Sequence, residues 1–162
     1  MTAHHAFIKE TIKLARQSAL HGFDPFGALL VKEGQIVAQS IDHCISLSDP
    51  TAHAELSLIS SYCQKNLLID LKGYTLYSST EPCLMCSGAI HWAKLARVVF
   101  SVSQKSLKAH SGGNPKPTCA DYLAIGGQKI EVIGPILEEE GLQVFREFPF
   151  QSKRKRHTDY WQ

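Results

Sequence analysis

Two short stretches carry side chains whose types and spacing could do chemistry together: His53-Ala54-Glu55 and Cys83-Leu84-Met85-Cys86. Cysteines at i and i+3 project both thiols from one face of a first helical turn. The positive end of the helix dipole there favours the thiolate, the form that binds metal. His53 and Glu55 stand two apart, roughly 200° around an α-helix, so in mid-helix they could not share a target. Over the open end of a helix they can, the imidazole reaching a metal and the carboxylate the space beside it. One imidazole and two thiolates suit Zn²⁺. A closed structural site takes four protein ligands, whereas three leave one position to water. Zinc lowers the pKa of such a water to about 7. A neighbouring carboxylate, Glu55, can take the released proton and deliver it elsewhere. These parts suit hydrolytic removal of ammonia from a ring C–NH₂ carbon, with Glu55 protonating the ring nitrogen and then the departing amine.

Blander chemistries compete. A Cys-x-x-Cys pair alone is equally a structural zinc knuckle or a redox pair. A knuckle needs a fourth ligand, for which Cys44, Cys63 and Cys119 are the available thiols, none at an obvious ligand spacing. The redox reading leaves His53 and Glu55 unexplained. The three remaining cysteines read as small buried hydrophobes, and the remaining histidines as ordinary ones, His43 alone lying near the expected pocket.

The elements that must position these groups follow from pattern. Apolar residues recur at helical spacing over 3–21, and Gly22 stands where a helix would end. Phe26 to Val31 reads as a short buried strand, returning through the Glu33-Gly34 turn into a second strand over 35–40. Asp49-Pro50 is expected to open a helix running to about Lys65, and Glu81-Pro82 another running to about Lys94. Strands are expected over 73–80, 97–102 and 130–133, with a loop over 103–117, a short helix over 119–125 and a last helix over 136–145. Strands alternating with helices imply an α/β fold, a three-layer α/β/α sandwich around a mixed five-stranded sheet. One domain over 1–150 and a basic, aromatic tail over 151–162 are expected.

Composition sets the class. The chain has 162 residues, 44% hydrophobic and 20% charged, with 17 basic against 15 acidic side chains. That is a globular domain large enough to bury a core without disulfides. Five cysteines, an odd number, argue against a disulfide framework. No apolar run approaches the roughly 18 residues of a spanning helix, and the start MTAHHAFIKE has neither the basic nor the apolar region of a secretory signal. Reduced cysteines in the cytoplasm are therefore expected. The net charge of +2 gives no reason to expect nucleic acid as an obligatory partner. The run Lys153-Arg-Lys-Arg156 is the local exception, readable as an RNA-backbone contact or, more simply, as a solvated tail.

The pattern H-A-E … P-C-x-x-C resembles the cytidine-deaminase-like zinc hydrolases. The longer stretches Asp49-Pro-Thr-Ala-His-Ala-Glu55 and Glu81-Pro-Cys-Leu-Met-Cys-Ser-Gly-Ala-Ile90 are similar to the branch holding guanine deaminases and tRNA adenosine deaminases. The likeness is good over Phe26 to Val102 and loose elsewhere. It implies zinc on His53, Cys83 and Cys86, proton transfer by Glu55, the backbone of Ala54 and Pro82 helping to place the substrate, and a homodimer. Pro25-Phe26-Gly27-Ala28 resembles the guanine deaminase form of that segment, in which an aromatic ring stacks on the base; the plain alternative is that Phe26 is core. Asp121 falls where guanine deaminases place an acidic acceptor for the base, and Tyr160-Trp161 where some relatives close the pocket, against the simpler expectation of a disordered tip. Asp42 stands where the family normally has an Asn that both donates to and accepts from the substrate. An ionised carboxylate only accepts, which shifts the expected preference from plain guanine toward a differently substituted or protonated ring. The resemblance thus implies a zinc-dependent deaminase of a small amino-heterocycle, most like guanine deaminase. A tRNA adenosine deaminase, a nucleoside or modified-base deaminase and a non-catalytic zinc module are the alternatives.

Overall fold

Gly27 shows why the first strand starts where it does. A Cβ there would lie 2.5 Å from Leu14 Cβ and 2.8 Å from both Ala15 N and Thr11 O. Only glycine lets the strand pass so close to a helix backbone. In the computed structural model, which describes residues 3–114 and 116–162, that helix is α1 (Ala3–Leu20) and the strand is β1 (Gly27–Lys32). The elements then run β2 (Gln35–Ile41), α2 (Ala54–Asn66), β3 (Thr75–Thr80), α3 (Leu84–Trp92), β4 (Arg97–Val102), α4 (Gln104–Ser111), α5 (Cys119–Ile125), β5 (Glu131–Ile133), α6 (Glu138–Glu147) and α7 (Lys153–Trp161).

The strands form one mixed sheet ordered β2-β1-β3-β4-β5. β1 runs antiparallel to β2 and β3, while β3–β4 and β4–β5 are parallel. Register explains the layers, because side chains alternate faces along a strand. Leu30 pairs with Leu76 and Leu76 with Val98, and these residues pack with Ala54, Leu58 and Ile90 beneath α2, α3 and α5. The next residues along, Leu29, Tyr77 and Val99, are also cross-strand partners, and they pack with Ile8, Ile12 and Val144 beneath α1 and α6. Each face is thus covered by helices, giving the three-layer sandwich that the order of elements implies.

Two helix starts, an expected loop and an expected tail differ from the sequence expectation. Asp49 does not start a helix: its Oδ1 accepts from Thr51 N at 2.8 Å and Thr51 Oγ1 at 2.7 Å, an Asx-type turn that delays α2 until Ala54. Glu81-Pro82 likewise precedes α3, which begins at Leu84. The expected loop over 103–117 contains α4, capped by Ser103 Oγ accepting from Ser106 N and anchored by the buried Leu107. The expected tail over 151–162 contains α7, whose N-cap is Ser152. Among the described residues no helix is long and apolar enough to cross a membrane.

Candidate active site

Both delayed helix starts have the same consequence: the residue just before each helix is extended. His53 is the N-cap of α2 (φ −64°, ψ 154°) and Cys83 the N-cap of α3 (φ −72°, ψ 175°). Neither side chain caps its own helix, so both are free to point across the gap between the two helix ends. Cys86, in the first turn of α3, completes the set. His53 Nδ1 lies 3.6 Å from Cys83 Sγ and 3.8 Å from Cys86 Sγ, and all three donor atoms lie within 4.8 Å of one another. Zn–S bonds of about 2.3 Å and Zn–N bonds of about 2.0–2.1 Å in a tetrahedron put N and S about 3.6 Å apart. The donor set and its spacing therefore fit zinc, with three ligands and a fourth corner for solvent. No other group of metal-binding side chains meets the same criterion among the described residues.

The electrostatics prepare these donors. The hydrogen bond from Cys86 and, against the opposing effect of burial, that from His53 bring the Cys83 thiol down to about 3. Cys86 is pushed upward, first because it keeps the proton shared with Cys83 and then because it is buried. The His53 imidazole is raised chiefly by its bond to Cys83. Cys83 is thus the readier thiolate, and a metal held by His53, Cys83 and Cys86 would require both thiols deprotonated.

Glu55 stands behind this cluster, only 5% exposed. Its Oε1 accepts from Ser78 Oγ at 2.9 Å and its Oε2 from the Cys86 thiol at 3.5 Å. Burial pushes its carboxyl above the usual range. His53, Glu55 and Cys83 line one side of a cavity of about 720 Å³, with Phe26, Leu107 and Tyr122 supplying apolar surface. An acid–base carboxylate, a three-donor metal site and a largely apolar open cleft together suit hydrolysis at a heterocyclic ring carbon.

Residues 1–102 match the family model described as the cytidine and deoxycytidylate deaminase zinc-binding region. The chain belongs to this deaminase family. The match extends to the first residues, so it takes in α1 as well as the motif-bearing segments. The deaminase is 35% identical over 142 residues to a probable cytosine deaminase of Schizosaccharomyces pombe, covering 85% of this chain and 86% of that one. It is 33% identical over 157 residues to a tRNA-specific adenosine deaminase of Buchnera aphidicola, covering 96% and 93%. The solved guanine deaminase of Bacillus subtilis superposes with a TM-score of 0.64 at 31% identity, covering 94% of this chain and 98% of that one. The protein is accordingly a zinc-binding hydrolase that cleaves an exocyclic C–N bond.

Within the deaminase site the expected substrate-side residues divide. Phe26 lines the cavity and packs on Phe145 and Phe150, with ring centroids 5.8 and 6.0 Å away. It is both core and wall. Ala54 and Pro82 flank the donors but are turned inward: Ala54 is core, and Pro82 O accepts from Ser87 Oγ. Neither is among the residues lining the cavity. Asp121 is not among the residues lining the cavity. Its Oδ2 accepts from Thr118 N and Thr118 Oγ1, both at 2.8 Å, closing the capping box of α5, and its carboxylate is exposed. The next residue, Tyr122, faces the cavity instead. Asp42 is not among the lining residues either. It is wholly buried and accepts from Cys44 N at 3.2 Å and from the Cys44 thiol at 3.4 Å.

Sequence reasoning passed over Glu81, although it sits inside the Glu-Pro-Cys stretch. Its Oε2 accepts from Gln104 N and its Oε1 from Cys119 N, both at 2.8 Å. Gln104 Nε2 donates back to Glu81 O at 2.7 Å. One buried carboxylate thereby ties the first residues of α4 and α5 to the segment that carries Cys83. Gln104 and Lys108 of α4 were equally missed as cavity-lining residues, because no helix was expected there.

Proposed function

We propose that this deaminase acts on a free nucleobase or similar small amino-heterocycle, and that guanine, giving xanthine and ammonia, is the model substrate. The observation that carries the reading is Phe26: an aromatic ring held in a cluster with Phe145 and Phe150 faces the cavity that contains His53 and Glu55. Such a ring offers a flat surface on which a base stacks.

In this reading His53, Cys83 and Cys86 hold zinc, the ion being bound through Nδ1 and the two Sγ atoms. Zinc, when present, acidifies a water and so supplies the nucleophile for replacing the amino group by oxygen. Glu55 carries the protons. Its Oε2 faces the cluster and receives the proton released by water, while Ser78 fixes Oε1 and with it the plane of the carboxylate. Glu55 then protonates the ring nitrogen beside the reacting carbon, and next the leaving amine. The balance is ring C–NH₂ plus water giving ring C=O plus ammonia.

A tRNA adenosine deaminase is the second reading, favoured by Lys108 and Lys116 at the cavity wall, two cations suited to phosphate. An ammonia-release panel of aminopurines, aminopyrimidines and their nucleosides, run beside an anticodon stem-loop, separates the two. Turnover of the free base is expected; turnover of the RNA alone would overturn the proposal. We also place the reaction in the cytoplasm, the five free thiols supporting that. A homodimer is proposed from the exposed Leu84 and Trp92 of α3 and Ile125 of α5, helices that pack together; light scattering on the eluting protein checks it.

A further inference from the structure

The basic run Lys153–Arg156 has no part in the chemistry above. Lys153, Arg154 and Lys155 are exposed and Arg156 is half-buried. Lys153 and Arg156 close on one buried carboxylate. Asp24, in the turn between α1 and β1, is 3% exposed; Lys153 Nζ reaches its Oδ2 at 2.9 Å and Arg156 Nη2 its Oδ1. Arg156 Nη1 also donates to Gly22 O at 3.1 Å. The far end of α7 holds a different loop. His157 Nε2 bonds Ser48 Oγ at 2.7 Å, and Trp161 Nε1 donates to Ile45 O at 3.2 Å.

Both gripped loops lead into the active site. Phe26, the cavity wall, donates through its N–H to Asp24 O at 2.8 Å and accepts at its own carbonyl from Asp42 N at 3.3 Å. The loop from Asp42 onward ends at His53, and His43 N bonds Ala52 O at 2.9 Å just before it. A buried carboxylate left without its cations is costly, so Asp24 holds this arrangement only while α7 is docked. Burial works against the charge on Lys153, but Asp24 and then Asp42 outweigh it and raise its pKa. The ammonium therefore also offsets the second buried carboxylate.

We infer that α7 is a clasp that sets the substrate-facing wall: Lys153 and Arg156 are positioning residues that act through Asp24 on Phe26 and on the loop entering His53.

The test uses the zinc-loaded full-length protein and the variants Asp24→Asn, Lys153→Met, Arg156→Met and the double variant D24N/R156M, with Arg154→Met as the exposed control. Amide exchange over 22–28 and 42–50 is expected to speed up about tenfold in each clasp variant and to stay unchanged in the control. With the free base turned over in the panel, KM is expected to rise about fivefold and kcat to stay within about twofold, with zinc still near one per chain. The double variant should fall short of the sum of the two single ones, since both remove the Arg156–Asp24 contact. Unchanged exchange and KM would overturn the inference. So would additive effects, loss of zinc, or a fall in kcat at constant KM, each of which marks a structural role. If Asp24→Asn does not fold, the two methionine variants decide. The KM arm rests on the proposed small-heterocycle reading, whereas the exchange arm does not. An enzyme inert toward every base therefore fails that reading and leaves the clasp to the exchange data.

Discussion

Replacing Glu81 by Gln tests whether one carboxylate joins the two halves of the cavity. Glu81 is 4% exposed, and its two oxygens accept separate backbone N–H groups, from Gln104 and Cys119, each at 2.8 Å. An amide presents one oxygen and one NH₂ in the same place. One N–H keeps its acceptor; the other meets a donor and is left buried and unpaired. A hydrogen bond to a charged group contributes about 1.5–3 kcal/mol, and stranding a buried donor costs about 1–3 kcal/mol. Since these overlap, the expected loss is about 2 kcal/mol, with Tm falling by about 4–8 °C for a chain of this size. The damage is local to the wall, because Gln104 and Leu107 of α4 and Tyr122 of α5 line the cavity. KM should therefore rise on the order of tenfold while zinc content and the Glu55 environment persist. Denaturant unfolding and steady-state ammonia release measure both quantities. A variant within about 1 °C of the parent, with unchanged KM, would mean that α4 and α5 are held by something other than this carboxylate.

Glu55→Gln should keep zinc near one per chain and lower kcat by at least about a hundredfold, the range for a lost acid–base group; retained ammonia release refutes the proton role. Asp42→Asn should leave the order of preference across the base panel unchanged, because the carboxylate is turned onto Cys44 and away from the cavity. A reordered preference would show that it reaches the substrate. Cys44 and Cys119 are both pushed up to about 12, first of all by burial. At pH 8 only about one molecule in ten thousand carries either thiolate. Iodoacetamide should leave both unmodified in the folded zinc-loaded protein, as read by peptide mass spectrometry. Alkylation at the rate of a free thiol would contradict their burial.

What the sequence made legible was local or periodic. Near-continuous apolar runs along 26–31 and 97–102 mark two-sided burial, and those strands are β1 and β4. The His-Ala-Glu and Cys-x-x-Cys spacings suffice to identify the donors, because both ligand pairs lie at helix ends and need little long-range information. The starts of α2 and α3 are displaced by four and two residues, since Asp49-Pro50 and Glu81-Pro82 are turn formers as well as helix openers. The local signal Thr118-x-x-Asp121 spells the capping box that Asp121 closes, a reading that sequence reasoning passed over. α4 was hidden because only Leu107 of its residues is buried. α7 has no buried residue at all, so no apolar period could reveal it; it is held by a carboxylate far away in the chain.

Glu81 has one more consequence. The groups that break the bond hang from the ends of α2 and α3, whereas much of the surface that must recognise the ring hangs from α4 and α5, and the Glu81 carboxylate bridges the segment before α3 to the starts of both. Substitutions within 104–123 can reshape the mouth for another heterocycle and leave the hydrolytic machinery intact. A lineage could thus change its diet by rewriting one short stretch of chain.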